Sequence, residues 1–139
     1  MNRAERRRNK KLIGKTTKES KLLRVGTPSP AGQQESLTIQ QAIDLGVKHH
    51  NAGDFPQAER IYQQILQAEP KQPDALHLLG VIAGQMGKND IAVDLIGKAL
   101  AIKPDFAEAH GNLGLELQEL GKLEDAVASY HSALAIKPD

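Results

Sequence analysis

One interval governs what this chain can fold into. Residues 107–138, AEAHGNLGLELQELGKLEDAVASYHSALAIKP, fall onto 73–104 when slid back by 34 positions, and onto 39–70 when slid by another 34. Six columns are then identical in all three copies. They are Leu45, Leu79 and Leu113; Gly46, Gly80 and Gly114; Gly53, Gly87 and Gly121; Ala58, Ala92 and Ala126; Leu66, Leu100 and Leu134; and Pro70, Pro104 and Pro138. On either side of the turn glycine, apolar residues recur at helical spacing. Ala58, Ile61, Tyr62, Ile65 and Leu66 stand at i, i+3, i+4, i+7 and i+8. A single pair of short helices cannot bury its apolar face alone, so a fixed period of this length predicts an all-α solenoid in which each copy covers its neighbour.

The spacing predicts finer features too. The array occupies 37–139, with copies over 39–72, 73–106 and 107–139 and first-copy helices over about 39–52 and 55–68. Thr38 with Gln41, and Asp105 with Glu108, fit capping boxes. Asp54 and Asn89 are placed to cap second helices, and Pro56 falls in a first turn, where no amide donor is needed. The glycines and alanines at 46/58, 80/92 and 114/126 are expected where the two helices of a copy cross. A large side chain there, as in Gly80→Leu or Ala92→Phe, should overpack the crossing at about 1–3 kcal/mol. Gly84 and Gly97 lie inside helices, where glycine costs up to about 1 kcal/mol relative to alanine. They mark either a close approach or the softest copy.

On these residues the copies resemble tetratricopeptide repeats (TPRs). Each has Leu-Gly in the first helix, Gly at the turn, Ala in the second helix and a closing Pro, with Tyr62 and Tyr130 four residues after the Ala. Ala42, Leu76 and His110 stand where the family commonly has a large aromatic. The resemblance implies an α-solenoid of three TPR helix-turn-helix repeats whose first helices line a concave face. By register that face carries Gln40, Ile43, Asp44, Val47 and His50; then Asp74, His77, Leu78, Val81 and Gln85; then Glu108, Asn112, Leu115, Gln118 and Glu119. An aliphatic floor with an amide and acidic rim suits an extended peptide, whose backbone needs hydrogen-bond partners and whose side chains need shallow apolar contact. The expected function is protein interaction: a scaffold that binds a partner peptide or protein. The acidic balance points to a basic or neutral ligand, and no row of Lys or Arg supports capture of an acidic tail.

A narrower similarity lies in 107–114 and 75–82, which look like repeats from bacterial proteins in which a TPR array precedes an O-GlcNAc-transferase-like glycosyltransferase or a sulfotransferase. In the former, an Asn before the Leu-Gly contacts the target peptide backbone. Asn112 matches that position, whereas Asp44 and Leu78 do not. The alternative function is therefore a substrate-recruiting arm, with an attached catalytic domain beyond Asp139. The chain stops just after its third closing Pro, which reads as a fragment, or as an end that self-associates through Val127, Tyr130, Ala133 and Leu134.

The net charge of +1 conceals an asymmetry. Residues 1–24 carry ten Lys and Arg against Glu5 and Glu19, while the rest carries eight against fifteen acidic residues. Too few aliphatics occur in 1–24 to offset ordering costs of about 1–2 kcal/mol per residue, and Val25–Ser36 holds Pro28, Pro30, Gly26 and Gly32. Residues 1–36 thus read as a disordered basic tail and linker. The tail is first a solvated segment. It is also suited to weak, salt-sensitive contact with nucleic acid, with an anionic membrane surface, or with the acidic array itself.

Catalytic chemistry finds little footing. Without cysteine, disulfides and thiolate sites are excluded. His49, His50, His77, His110 and His131 form no metal-binding spacing, although His77 and His110 are near enough in register to approach each other. Gly111-Asn112-Leu113-Gly114 follows no strand and is no phosphate loop. Asp94, Glu116, Glu119 and Asp125 are expected on solvent faces. No apolar run reaches the roughly 18–20 residues of a membrane span, and no signal-peptide core follows the basic start. The expectation is a cytoplasmic, non-enzymatic module with no metal and no cofactor.

Overall fold

The computed structural model describes residues 22–25 and 35–138. Strand β1 (Leu22–Val25) pairs antiparallel with β2 (Glu35–Thr38). Six helices follow: α1 (Ile39–Asn51), α2 (Phe55–Ala68), α3 (Pro73–Gln85), α4 (Asn89–Ile102), α5 (Ala107–Glu119) and α6 (Leu123–Ile136). They make three helical hairpins, as the period predicts.

Each hairpin turns on glycine. Gly53, Gly87 and Gly121 adopt φ of 80°, 81° and 78°, a left-handed conformation that side chains with a Cβ resist. The next amide then reaches back over the helix end: Asp54 to His49 O at 2.9 Å, Lys88 to Ala83 O at 2.8 Å and Lys122 to Leu117 O at 2.9 Å. This turn also decides how the second helices begin. Asp54, Lys88 and Lys122 are their N-cap residues, with ψ of 69°, 63° and 69°, well short of the extended backbone from which a cap side chain reaches the first amides. Asp54 accordingly makes no capping bond, and its carboxylate lies 3.4 Å from His49 Nδ1. Asn89 is already helical. Nor does Asp105 form a capping box, because the N-cap of α5 is Phe106, which makes no side-chain cap bond. The box at Thr38 is present: its Oγ1 accepts from the Gln41 amide at 3.1 Å and its own amide donates to Gln41 Oε1 at 2.9 Å.

The crossings are as tight as expected, with a different residue pressing on the glycine. A Cβ at Gly46 would lie 2.5 Å from the Tyr62 ring, at Gly80 2.8 Å from Ile96 Cγ1, and at Gly114 2.7 Å from the Tyr130 ring. Buried Ala58, Ala92 and Ala126 sit one turn earlier on the same helix face. Tyr62 is wholly enclosed, and burial pushes its phenol up to about 12. Gly84 proves to be a close approach, because a Cβ there would run into the carboxyl group of Glu116; around Gly97 there is open space.

The hairpins stack in sequence: α2 packs on α3 and α4 on α5, while no helix of the first repeat touches the third. First helices also meet across repeats, α1 with α3 and α3 with α5, whereas α2, α4 and α6 do not touch one another. The stack therefore curves with α1, α3 and α5 on the inside.

Residues 22–25 and 35–36 differ from the tail and linker expected over 1–36. They belong to the ribbon, whose first strand packs on α1 and α2. Leu23 is 8% exposed and joins Ile39, Ile43 and Ile61 in one core cluster, with Leu37 packed beside it. Burying those leucines at the open end of the first repeat offsets the cost of ordering the segment. The rest of that expected tail and linker lies outside the described residues. At the other end, Val127 and Leu134 are 52% and 57% exposed.

Candidate functional site

The inner side of the curve carries one aliphatic row. Val47, Val81 and Leu115 occupy the same column of the repeat, on α1, α3 and α5, and all are at least partly exposed. Polar bridges cross from one first helix to the next on the same side. His50 Nε2 pairs with Gln85 Oε1 at 2.6 Å, and Asn112 Nδ2 with His77 Nε2 at 2.7 Å. Both span 35 residues, so each joins a repeat to its successor one position off the strict register.

His77 is the centre of the site. It is 3% exposed, edge-on to the Phe106 ring at 4.7 Å. Burial pulls its pKa below the ordinary imidazole value, against the opposing pull of the Glu108 and Asp74 carboxylates. With Asn112 Nδ2 donating to Nε2, the imidazole is neutral and carries its proton on Nδ1, which has no hydrogen-bond partner among the described residues.

Around His77 an open groove of about 420 Å³ runs over the N-terminal ends of α1, α3 and α5. Its walls include Gln40 and Ile43 from the first repeat, Asp74, His77 and Leu78 from the second, and Phe106 and Glu108 from the third; Lys103, Asp105, Ala107 and Lys137 complete it. Gln40, Asp74 and Glu108 form one column, so each repeat offers a hydrogen-bond acceptor at the same height.

The expected residues are thus divided. Ile43, His77 and Glu108 line the groove together. Val47, Val81 and Leu115, with His50, Gln85 and Asn112, form the row and bridges beyond it. Gln118 is turned to its own repeat, where its Oε1 accepts from the Tyr130 hydroxyl at 3.0 Å. Glu119 is exposed at the end of α5 with no partner among the described residues. Ile43 is buried and contributes floor, not rim. His77 and His110 do not pair: His110 Nε2 meets Pro104 O at 2.8 Å. Glu116 is not on a solvent face either. It is 6% exposed, nested against Gly84, and accepts from Asn89 Nδ2 at 2.6 Å. Phe106 and Lys103, the latter 4.7 Å over the Phe106 ring, are wall residues that the period did not reveal. Phe106 shares its column with Thr38 and Gln72, so no repeated apolar signal marked it.

Among the described residues, no group of three or more His, Asp or Glu is placed to hold a metal ion. No helix among them is long and apolar enough to cross a membrane.

Known proteins match this architecture. Tetratricopeptide repeat profiles match residues 50–115 and 107–139. A probable UDP-N-acetylglucosamine–peptide N-acetylglucosaminyltransferase, SEC, of Arabidopsis thaliana is 34% identical over 70 residues, which are 50% of this chain and 7% of that protein. A mutant O-GlcNAc transferase from Thermobaculum terrenum superposes with a TM-score of 0.71 at 35% identity, covering 73% of this chain and 19% of that one. The first TPR of Spaghetti, bound to an HSP90 peptide, superposes with a TM-score of 0.69 at 22% identity, covering 73% of this chain and 80% of that one. The last likeness is one of fold.

Proposed function

The chain belongs to the tetratricopeptide repeat family, and from that premise we propose that it is a protein-interaction module that holds an extended peptide along the inside of its curve. The observation that carries this is the row Val47, Val81 and Leu115, half-buried on α1 and α3 and exposed on α5, and flanked by the His50–Gln85 and His77–Asn112 bridges. A strand-like peptide lays alternate side chains on such a row and satisfies its backbone on amides and imidazoles at the edge. Asn112 keeps its carbonyl oxygen for that purpose while its amide nitrogen is engaged by His77.

The test is a peptide selected on the full chain by display and titrated by fluorescence anisotropy. Val81→Asp places a charge in the middle of the row and should weaken binding by at least about tenfold, the scale of a lost central contact. Asn112→Ala should weaken it less. Unchanged affinity in both variants overturns the assignment.

A second reading is favoured by the Arabidopsis peptide N-acetylglucosaminyltransferase and the Thermobaculum O-GlcNAc transferase, 34% and 35% identical to this chain where they match. On it, the groove recruits polypeptide substrates for a glycosyltransferase domain. The chain spans a small share of either relative. The check is the reading frame beyond Asp139: a catalytic domain in frame supports this reading, and a stop codon ends it.

A further inference from the structure

We infer that the basic N-terminal segment, residues 1–21, is the resident occupant of the groove around His77, docking there in cis and competing with partner peptides. The ribbon delivers it to the place. In the strand register Leu22 lies opposite Thr38, the N-cap of α1, and Gln40, two residues further on, lines the groove. Because the strands are antiparallel, the chain enters β1 from the α1 end of the ribbon, at the mouth of the groove. Twenty-one residues can extend about 70 Å, far more than this distance requires.

Charge and hydrogen bonding agree with that occupant. Residues 1–21 hold nine Lys and Arg against two Glu. On the inner wall Asp74 and Glu108 stand in one column with Gln40, whose Nε2 donates to Asp44 at 3.0 Å on the next turn. The cations of the groove, Lys103 and Lys137, are the C-cap residues of α4 and α6, and Asp105 adds a third carboxylate to the lining. A basic segment laid along the acidic wall meets Asp74 and Glu108 at its side chains. The floor supplies one more specific contact: the His77 ring, almost wholly buried, has a free Nδ1 proton suited to a peptide carbonyl oxygen. An acidic peptide would face the wrong charge on that wall.

The inference rests on the reading of the inner face, groove and aliphatic row together, as a peptide site, and the test separates the two. The chain has no cysteine, so Asn9→Cys gives one attachment point for a nitroxide on the full-length, nitrogen-15-labelled protein. Docking in cis predicts loss of amide signal centred on Gln40, Asp74 and Glu108. The signal should return at about 1 M salt, where the screening length falls to about 3 Å. It should also return in the triple variant Arg6→Glu, Arg7→Glu and Arg8→Glu, whose positions lie outside the described residues. The same triple variant should bind the selected peptide several-fold more tightly, since occupied groove lowers apparent affinity. No loss, or loss spread evenly over the six helices, overturns the proposal. So does equal loss in labelled chains mixed with unlabelled nitroxide-bearing ones, which would mean docking onto a second copy. Localised loss without any peptide binding would instead remove the partner reading and leave this one standing.

Discussion

At the scale of single residues, two glycines within one repeat separate a packing role from a conformational cost. Gly84 faces the Glu116 carboxyl group and Gly97 faces open space. The Glu116 side chain is held by Asn89, so a methyl at position 84 must break that bond or displace the helix. Gly84→Ala is expected to lose about 1–3 kcal/mol, the cost of leaving a buried polar group unsatisfied, and Gly97→Ala to gain about 0.5–1 kcal/mol. Urea denaturation of both variants checks the pair. His77 makes a pH prediction. Burial depresses its native pKa, so the unfolded chain, titrating near about 6.5, takes up the proton first as the solution is acidified. The stability contributed by neutral His77 is complete above that value and drains away as pH falls through the lower native pKa. Thermal midpoints measured from neutral to mildly acid pH should fall more steeply for the wild type than for His77→Gln. Parallel slopes would remove the imidazole from the account.

At the scale of elements, the ribbon is the structure's clearest addition. Leu23 is its deepest anchor, and Leu23→Ala should cost about 2 kcal/mol, at the low end for a leucine truncation because the site is at the edge of the stack. A midpoint unchanged in thermal melting would mean that the ribbon does not cap the core. The helices were legible because 34-residue periodicity and i, i+3, i+4 spacing are properties of sequence alone. The ribbon was not, because Leu22–Val25 and Glu35–Thr38 are four-residue runs separated by nine residues, longer than the usual hairpin loop, and Pro28 and Pro30 suggest a linker. Its evidence is tertiary: an uncovered core on α1 and α2 needs a lid. The caps at Asp54 and Asn89 were misplaced for a local reason, since the glycine turn fixes the backbone before the side chain can choose a partner. Of the candidate site, the columns gave the aliphatic row and the acidic column. Phe106, Lys103 and the burial of Glu116 break the repeat, and periodicity is silent where copies differ.

At the scale of the molecule, repeats touch only their neighbours, so stability is close to a sum of hairpins and interfaces. The centre is gripped on both sides, and α6 presents exposed Val127 and Leu134. Amide hydrogen exchange should therefore be slowest in α2 and α3 and fastest in α6. Uniform protection along the chain would contradict nearest-neighbour coupling. The absence of contact among α2, α4 and α6 has a mechanical sequel. With nothing among the described residues spanning the outer rim, the stack can open and close like a hand fan pivoting on its inner ribs, and a ligand that tightens the grip of those ribs would change the spread of the whole array without unpicking any single hairpin.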